Sequence, residues 1–416
     1  MAKIKPFRAW RPREDIVQNV ASRPYDVLSS QEARAEASGN PYSFYHIIKS
    51  EIDFAPDVDV YSDVIYQKAK NNFLKAIQNG IFFQDKKESY YLYQLHFKGR
   101  VQTGLVALSS INDYFDDVIK KHEYTRPEKE QDRIRHMQVT GINAEPLFFA
   151  YRSHTRINEM VANYCDTHSP ITDFEAEDGI RHILWQIDDE SLINEISDIF
   201  AEQIPQTYIA DGHHRSASAA KVGKMLAEQN PQHSGDEPYN YFLTVLFPDD
   251  QLQIMDYNRL VRDLGKLSEE AFWEKLQQNF TITPLPKATY PQQPYQYSMY
   301  FKGKWYSLQL KKDVSIPEDA VGSLDIQVLS DKLLADILQI TDQRTDKRID
   351  FVGGIRGLSA LEQAVEQGDA VLAIAIRPVS MEQLLHVADS GEIMPPKSTW
   401  FEPKLRSGVV VYQFEA

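Results

Sequence analysis

The segment IADGHHR, residues 209 to 215, puts an aspartate, a glycine, two histidines and an arginine into one turn between an apolar run and an alanine-rich stretch. The first turn of a helix presents unpaired N–H groups and a partial positive charge, so an anion placed there meets donors already oriented toward it. Gly212 lets the backbone come close, and Arg215 offers a forked cation for two phosphate oxygens. His213 and His214 add donors that can also move protons. The chemistry expected is the handling of a phosphate. The plainer reading, Asp211 capping the helix beside surface histidines, leaves the clustering of both histidines with an arginine unexplained. No metal is expected, because a zinc pair on a helix prefers an i, i+4 spacing such as HExxH, which the chain lacks.

Three further clusters could complete such a site. KKHEYTRPEKEQDRIRHM, residues 120 to 137, carries His122, Glu123, Thr125 and Arg133. Its Arg126-Pro127 step should turn a loop into a helix and leave His122, Glu123 and Thr125 exposed at the helix entrance. Glu123 there could act as a general base and Arg133 could hold a second anion, although such a charged run is also the pattern of an ion-paired, solvated face. In RPYDVLSSQEAR, residues 23 to 34, Ser30 with Asp26 or Glu32 should cap a helix, and Asp26 is the carboxylate left to line the site. In MPPKSTWFEPKLRSG, residues 394 to 408, prolines stiffen a loop bearing Lys397, Ser398, Thr399, Lys404 and Arg406. That loop suits a phosphate or a carboxylate, or else serves as a strut between domains.

These residues need a scaffold, and hydrophobic periodicity outlines one. Residues 60 to 80 place Val64, Ala69, Phe73 and Ile77 at helical spacing and stop at Gly80. Alternating aromatic and branched residues on either side of Lys98-Gly99 predict a hairpin, and residues 295 to 311 repeat the pattern. Strands are expected at 146 to 152, 182 to 188 and 241 to 248, with later helices around 325 to 340 and 381 to 389, and strands in AVLAIAIRP and GVVVYQF. The fold class expected is α+β, or mixed α/β. Polar breakers at 231 to 238 and 287 to 295 could mark domain edges. The division expected is residues 1 to 235 and 236 to 416, with one intertwined unit as the alternative.

Composition narrows the function. The 416 residues are 42% hydrophobic and 25% charged, as in a globular chain long enough for more than one core. A formal charge of -15 repels nucleic acid and anionic lipid, so no nucleic-acid or membrane partner is expected. The single cysteine, Cys165, fits a reducing compartment, and no signal-type or membrane-spanning run is seen. A cytoplasmic protein is the expectation. A GxxxxGK[ST] loop is absent, which excludes an ordinary P-loop kinase, and no DxDx[TV] aspartates of a haloacid-type phosphatase stand at a strand end.

Taken in order, SRPYDVLSSQEAR, NPYSFYHIIKSEID, HEYTRPEKEQDR, YIADGHHRSASA, DFVGG and MPPKSTWFEPKLRSG resemble the bacterial and archaeal family named domain of unknown function 1015, nearly end to end. IADGHHR is also similar, locally, to the phosphate-binding GxHRxxA turn of the ParB and sulfiredoxin-like superfamily. Ala217 or Ala219 supplies the alanine, and Ser216 stands where relatives often have an aromatic. The resemblance implies a ParB/sulfiredoxin-like core with added antiparallel sheet. Because that superfamily includes free-serine kinases and family members are often encoded beside enzymes of the phosphorylated serine pathway, it points to serine and phosphoserine.

The function expected is therefore phosphotransfer on a small phosphorylated metabolite, in the kinase or the phosphatase direction, with ATP or ADP and Mg as candidate cofactors. Glu123 or Asp26 would be the base, and His213 or His214 the acid. Asp211, Gly212, Arg215, His122, Thr125, Arg133, Lys397, Ser398, Thr399, Lys404 and Arg406 would hold substrate and phosphate. The alternative is a ParB-like nucleotide-binding regulatory module without turnover.

Overall fold

The computed structural model describes residues 1–415, which form a mixed α/β protein. It resolves into two compact units: Met1–Leu252 together with the C-terminal residues from Pro403, and Gln253–Glu402. The sequence placed one cut near residue 235. Residues 241 to 248 instead form an inner strand of the first unit's sheet, so the chain cannot leave that unit before the strand is complete.

The first unit is built on a nine-stranded mixed sheet. Its strands, in chain order, are β1 (Ile4–Lys5), β2 (Tyr90–Phe97), β3 (Arg100–Ser110), β4 (Ile119–Lys120), β5 (Leu147–Tyr151), β6 (Thr172–Glu175), β7 (Arg181–Ile187), β8 (Thr207–Asp211) and β9 (Tyr241–Pro248). They lie in the order β4-β8-β5-β9-β3-β2-β7-β6, with β1 against β3. The β8/β4 and β9/β5 pairs are parallel and the other pairs antiparallel. The β2/β3 hairpin turns at Lys98 and Gly99, both in the left-handed region, as the sequence anticipated. Strands buried along their whole length, such as β5 and β9, are the continuous apolar runs LFFAY and YFLTVLFP.

Four helices matter to the site: α1 (Ser30–Glu36), α2 (Asp63–Gln78), α3 (Pro127–Thr140) and α4 (His213–Gln229). In α2 the buried face is Ile65, Tyr66, Ala69, Phe73 and Ala76, whereas Val64 is exposed. Of the stripe read from the sequence, Ala69 and Phe73 lie in the core and Ile77 packs against it, while Ile65 takes the place of Val64. Helix α1 is capped by Ser29 in a reciprocal box with Glu32. Ser30, the expected cap, donates instead to Glu51. Pro127 opens α3 at its first position, where its missing N–H costs nothing.

The second unit holds a six-stranded antiparallel sheet: β10 (Tyr257–Val261), β11 (Phe280–Leu285), β12 (Gln296–Phe301), β13 (Lys304–Leu310), β14 (Ile349–Gly353) and β15 (Leu372–Ile376), in the order β11-β13-β12-β15-β10-β14. The predicted second hairpin is β12/β13, turning at Lys302-Gly303. Leu260, Tyr300, Trp305, Leu358 and Leu361 lie in its core. Among the described residues no helix is long and apolar enough to cross a membrane.

Candidate functional site

Strand β8 is buried until its last residue, and its pairing with β5 slips between Ile209 and Asp211. Such an irregularity at a strand end re-aims the chain. Gly212 follows with φ 96°, a conformation costly to any residue bearing a Cβ, and α4 begins at His213. No side chain caps its first turn. Asp211 is not the cap of the plainer reading: it accepts from Lys404 Nζ at 2.9 Å. Burial pushes its carboxyl up, but Lys404 and Arg215 outweigh that and hold it well below the usual carboxylate range.

Arg215 lies at the centre. It is buried, its Nη2 is 4.0 Å from Asp26 Oδ2 and its Nη1 is 4.0 Å from Glu145 Oε1. Both separations exceed hydrogen-bond length. Its Nε is buried without a partner. Burial alone would pull this guanidinium down, yet Asp26, Glu145 and Asp211 raise it above its ordinary value, so it stays charged. A fully ionised donor fork with unmade hydrogen bonds is what an oxyanion would complete. Gly212 makes room for it: a Cβ there would stand 3.3 Å from Arg215 Nη2 and 3.1 Å from Leu147 Cδ2.

Glu145, from the short segment before β5, was not anticipated. It is buried, accepts the Tyr25 N–H at 2.9 Å and the Ser407 hydroxyl at 3.4 Å, and stands 3.9 Å from Arg133. Burial raises its carboxyl despite both arginines. The available signal was a lone acid directly before the apolar run PLFFAY, a position tolerated only when paired. Arg133 is committed too: it pairs with Asp132 at 2.7 Å and lies 4.0 Å over the ring of Tyr25. Arg133, Glu145 and Arg215 border a cavity of about 20 Å³, room for one water. The Glu145 side of Arg215 therefore has no room for a phosphate.

The HEYT loop also reaches this turn, but not as expected. His122, anticipated as exposed, is buried, and its ring stands edge-on to that of His213 with centroids 4.4 Å apart. Both its ring nitrogens lack partners, and burial drives it well below its ordinary value, so it is a neutral packing group. Its backbone N–H points to His213 Nε2 at 3.5 Å, while Glu123 Oε2 is 3.8 Å from His213 Nδ1. The Arg126 N–H donates to His214 Nε2 at 2.9 Å. Thr125 hydrogen-bonds to Glu130. Burial holds His213 down to about 4 and lowers His214 as well. Burial thus favours the neutral imidazole at both positions in the unliganded protein.

The C-terminal motif divides. Lys404 meets Asp211, whereas Arg406 pairs with Asp178 at the tip of the β6/β7 hairpin and lines a different cavity. Lys397, Ser398 and Thr399 belong to the second unit. There the Pro396 and Lys397 carbonyls accept from buried Arg259, Ser398 donates to Pro395, and Lys397 Nζ lies 5.7 Å from the Tyr257 ring centre. Those bonds make PPKST a loop pinned from within its own unit.

The chain matches the family DUF1015, a protein of unknown function, over residues 4–327, and it belongs to that family. DFVGG and MPPKSTWFEPKLRSG lie beyond the matched span. No curated protein matches the sequence. Among solved structures it is similar to a free serine kinase in complex with AMP, at 12% identity over 72% of this chain and 86% of that one with a TM-score of 0.36. It is similar also to a conserved hypothetical protein from Pyrococcus furiosus, at 15% identity over 73% and 93% with a TM-score of 0.36. A third is SbnI with C-terminal truncation from Staphylococcus aureus, at 13% identity over 71% and 82% with a TM-score of 0.37.

Proposed function

We propose that this protein transfers a phosphoryl group to or from a small metabolite, with serine and phosphoserine as the pair its family resemblance points to. One observation carries the reading: Arg215 is buried and charged beside an uncapped helix start, with its carboxylate neighbours held at 4.0 Å and its Nε unpartnered. A phosphate seated against Gly212 and Arg215 would supply the missing hydrogen bonds. Phosphoryl transfer asks a protein mainly for positioning and charge stabilisation, which a buried guanidinium and a helix start provide.

Asp26 and Glu123 flank the turn on two sides, one beside Arg215 and the other beside His213. Asp26 is the better placed to take the proton from an attacking serine hydroxyl or water, because it adjoins the group that holds the phosphate. Glu123 stands 3.8 Å from His213 Nδ1, where its charge favours a proton on that nitrogen. A dianion bound at Arg215 would raise the pKa of both histidines, and His214 could then give a proton to the leaving oxygen. ATP or ADP would supply the phosphoryl group in the kinase direction. Among the described residues no cluster of three or more His, Cys, Asp or Glu could hold a metal, so Mg would arrive on the nucleotide's phosphates.

Binding without turnover, as in a regulatory nucleotide module, is favoured by one feature: the unliganded site holds no protonated imidazole. A single assay separates the two readings. The protein is incubated with phosphoserine alone and with serine plus ATP or ADP and Mg, and free phosphate and phosphoserine are measured. Turnover in either mixture that disappears in Arg215→Gln supports phosphotransfer; no turnover in any mixture refutes it.

A further inference from the structure

A cavity of about 380 Å³ in the first unit is lined by Arg23, Arg406, Glu36, Glu177, Asp178 and Tyr45, together with small polar side chains. The Arg406 side chain is only 5% exposed, and its one ionic partner, bonded through Nη2, is Asp178, which is 41% exposed on the β6/β7 hairpin tip. Its Nε and Nη1 bond to no described residue, and neither is sealed from solvent. Across the cavity Arg23 pairs with Glu36, and the Tyr45 hydroxyl donates to Glu36 at 2.8 Å while accepting the Arg23 N–H at 3.1 Å. The Ser22 and Ser43 hydroxyls lie 3.4 Å apart on the same wall.

The charge pattern selects the ligand. An anion alone would meet three carboxylates, and a cation alone would meet two guanidinium groups. A molecule carrying both charges a few bonds apart satisfies both sets, its carboxylate on the N–H groups of Arg406 that Asp178 leaves unbonded and its ammonium at Asp178 or Glu36. The volume lies near the low end of the roughly 300 to 1,000 Å³ of small-molecule sites, which suits a free metabolite better than a nucleotide. We infer that this cavity binds a free α-amino acid. The inference stands on the cavity and does not rest on the phosphotransfer reading, since none of Asp26, Glu123, Asp211, Gly212, His213, His214 or Arg215 lines it.

The test is calorimetric titration of the full chain with each of the twenty amino acids. The binding one is then compared with its decarboxylated amine, its α-hydroxy acid and inorganic phosphate. One amino acid should bind at millimolar concentration or tighter, with each single-charge probe roughly 10- to 100-fold weaker, the cost of one charge-assisted bond. Asp178→Asn, at an exposed position, should weaken binding by a similar factor, as should Arg406→Gln if it folds. Saturating inorganic phosphate should not displace the amino acid. Failure of all twenty to bind, equal binding of a single-charge probe, or wild-type affinity in Asp178→Asn overturns the inference. So does displacement of the amino acid by inorganic phosphate, which would assign the ligand to the phosphate turn.

Discussion

Replacing Arg215 by glutamine separates what this residue does for the fold from what it does for a ligand. Glu145 is buried, and its two cations are Arg215 at 4.0 Å and Arg133 at 3.9 Å. Removing one partner of a buried pair costs about 3–5 kcal/mol, mostly because the other charge is stranded. Here the lower end applies, since Arg133 remains and the Tyr25 N–H still donates to the carboxylate. The Glu145 carboxyl is already raised above its unfolded value, and loss of Arg215 raises it further. A raised acid contributes stability that is present below the unfolded value of about 4.3 and lost as pH climbs through the folded value. The deficit of Arg215→Gln should therefore be small near pH 4 and full at pH 7.5. The double variant Arg215→Gln/Glu145→Gln, with no stranded charge, should recover most stability at pH 7.5. It should not recover the ligand: phosphoserine affinity should stay about 10- to 100-fold down in both variants, one charge-assisted contact having gone. Urea titrations across pH, paired with calorimetry, measure both. If the double variant is no more stable than the single, or if it regains phosphoserine binding, the reasoning about Arg215 is wrong.

Four further outcomes are expected. Lys404→Met removes the 2.9 Å partner of Asp211, a carboxyl held low in the fold, so stability should fall by about 1 kcal/mol at pH 7 and the loss should vanish as acid protonates Asp211; urea midpoints across pH read this. His213, held down to about 4, should show no NMR titration between pH 5 and 8 without phosphate, and protein stability should decline as pH falls from about 6.5 toward 4, a slope missing in His213→Gln. Gly212→Ala should cost about 1–2 kcal/mol, because its φ of 96° is strained for a Cβ and the new methyl crowds Leu147 and Arg215; unchanged thermal stability would contradict the geometry. If Asp26 is the base, Asp26→Asn should lose roughly 100- to 10,000-fold in turnover while Glu123→Gln loses less, and the reverse order would exchange their roles.

Much of this architecture is legible in the linear sequence, because short-range physics writes it there. The two hairpins announce themselves through alternation around Lys98-Gly99 and Lys302-Gly303, and Pro127 marks the start of α3. The strand, turn and helix of IADGHHR follow from one apolar run, one glycine and an alanine-rich stretch. Family membership follows from ordered motifs of the same kind. Periodicity was less exact for α2, where the buried stripe runs through Ile65 and Tyr66, and for the cap of α1, where Ser29 prevailed over its neighbour.

What only the tertiary structure decided is which charges meet. Glu145, just before a strand, becomes the neighbour of Arg133 and Arg215 on two different helices, a meeting that no local pattern encodes. Burial turns His122 from an exposed donor into a neutral wall and keeps His213 and His214 unprotonated. Lys404 and Arg406, two residues apart, go to Asp211 and to Asp178 in different surroundings. Residue type and spacing state what a side chain can do in water. The free energy of an ion pair or a proton depends on desolvation and on neighbours remote in sequence, and those exist only once the chain has folded.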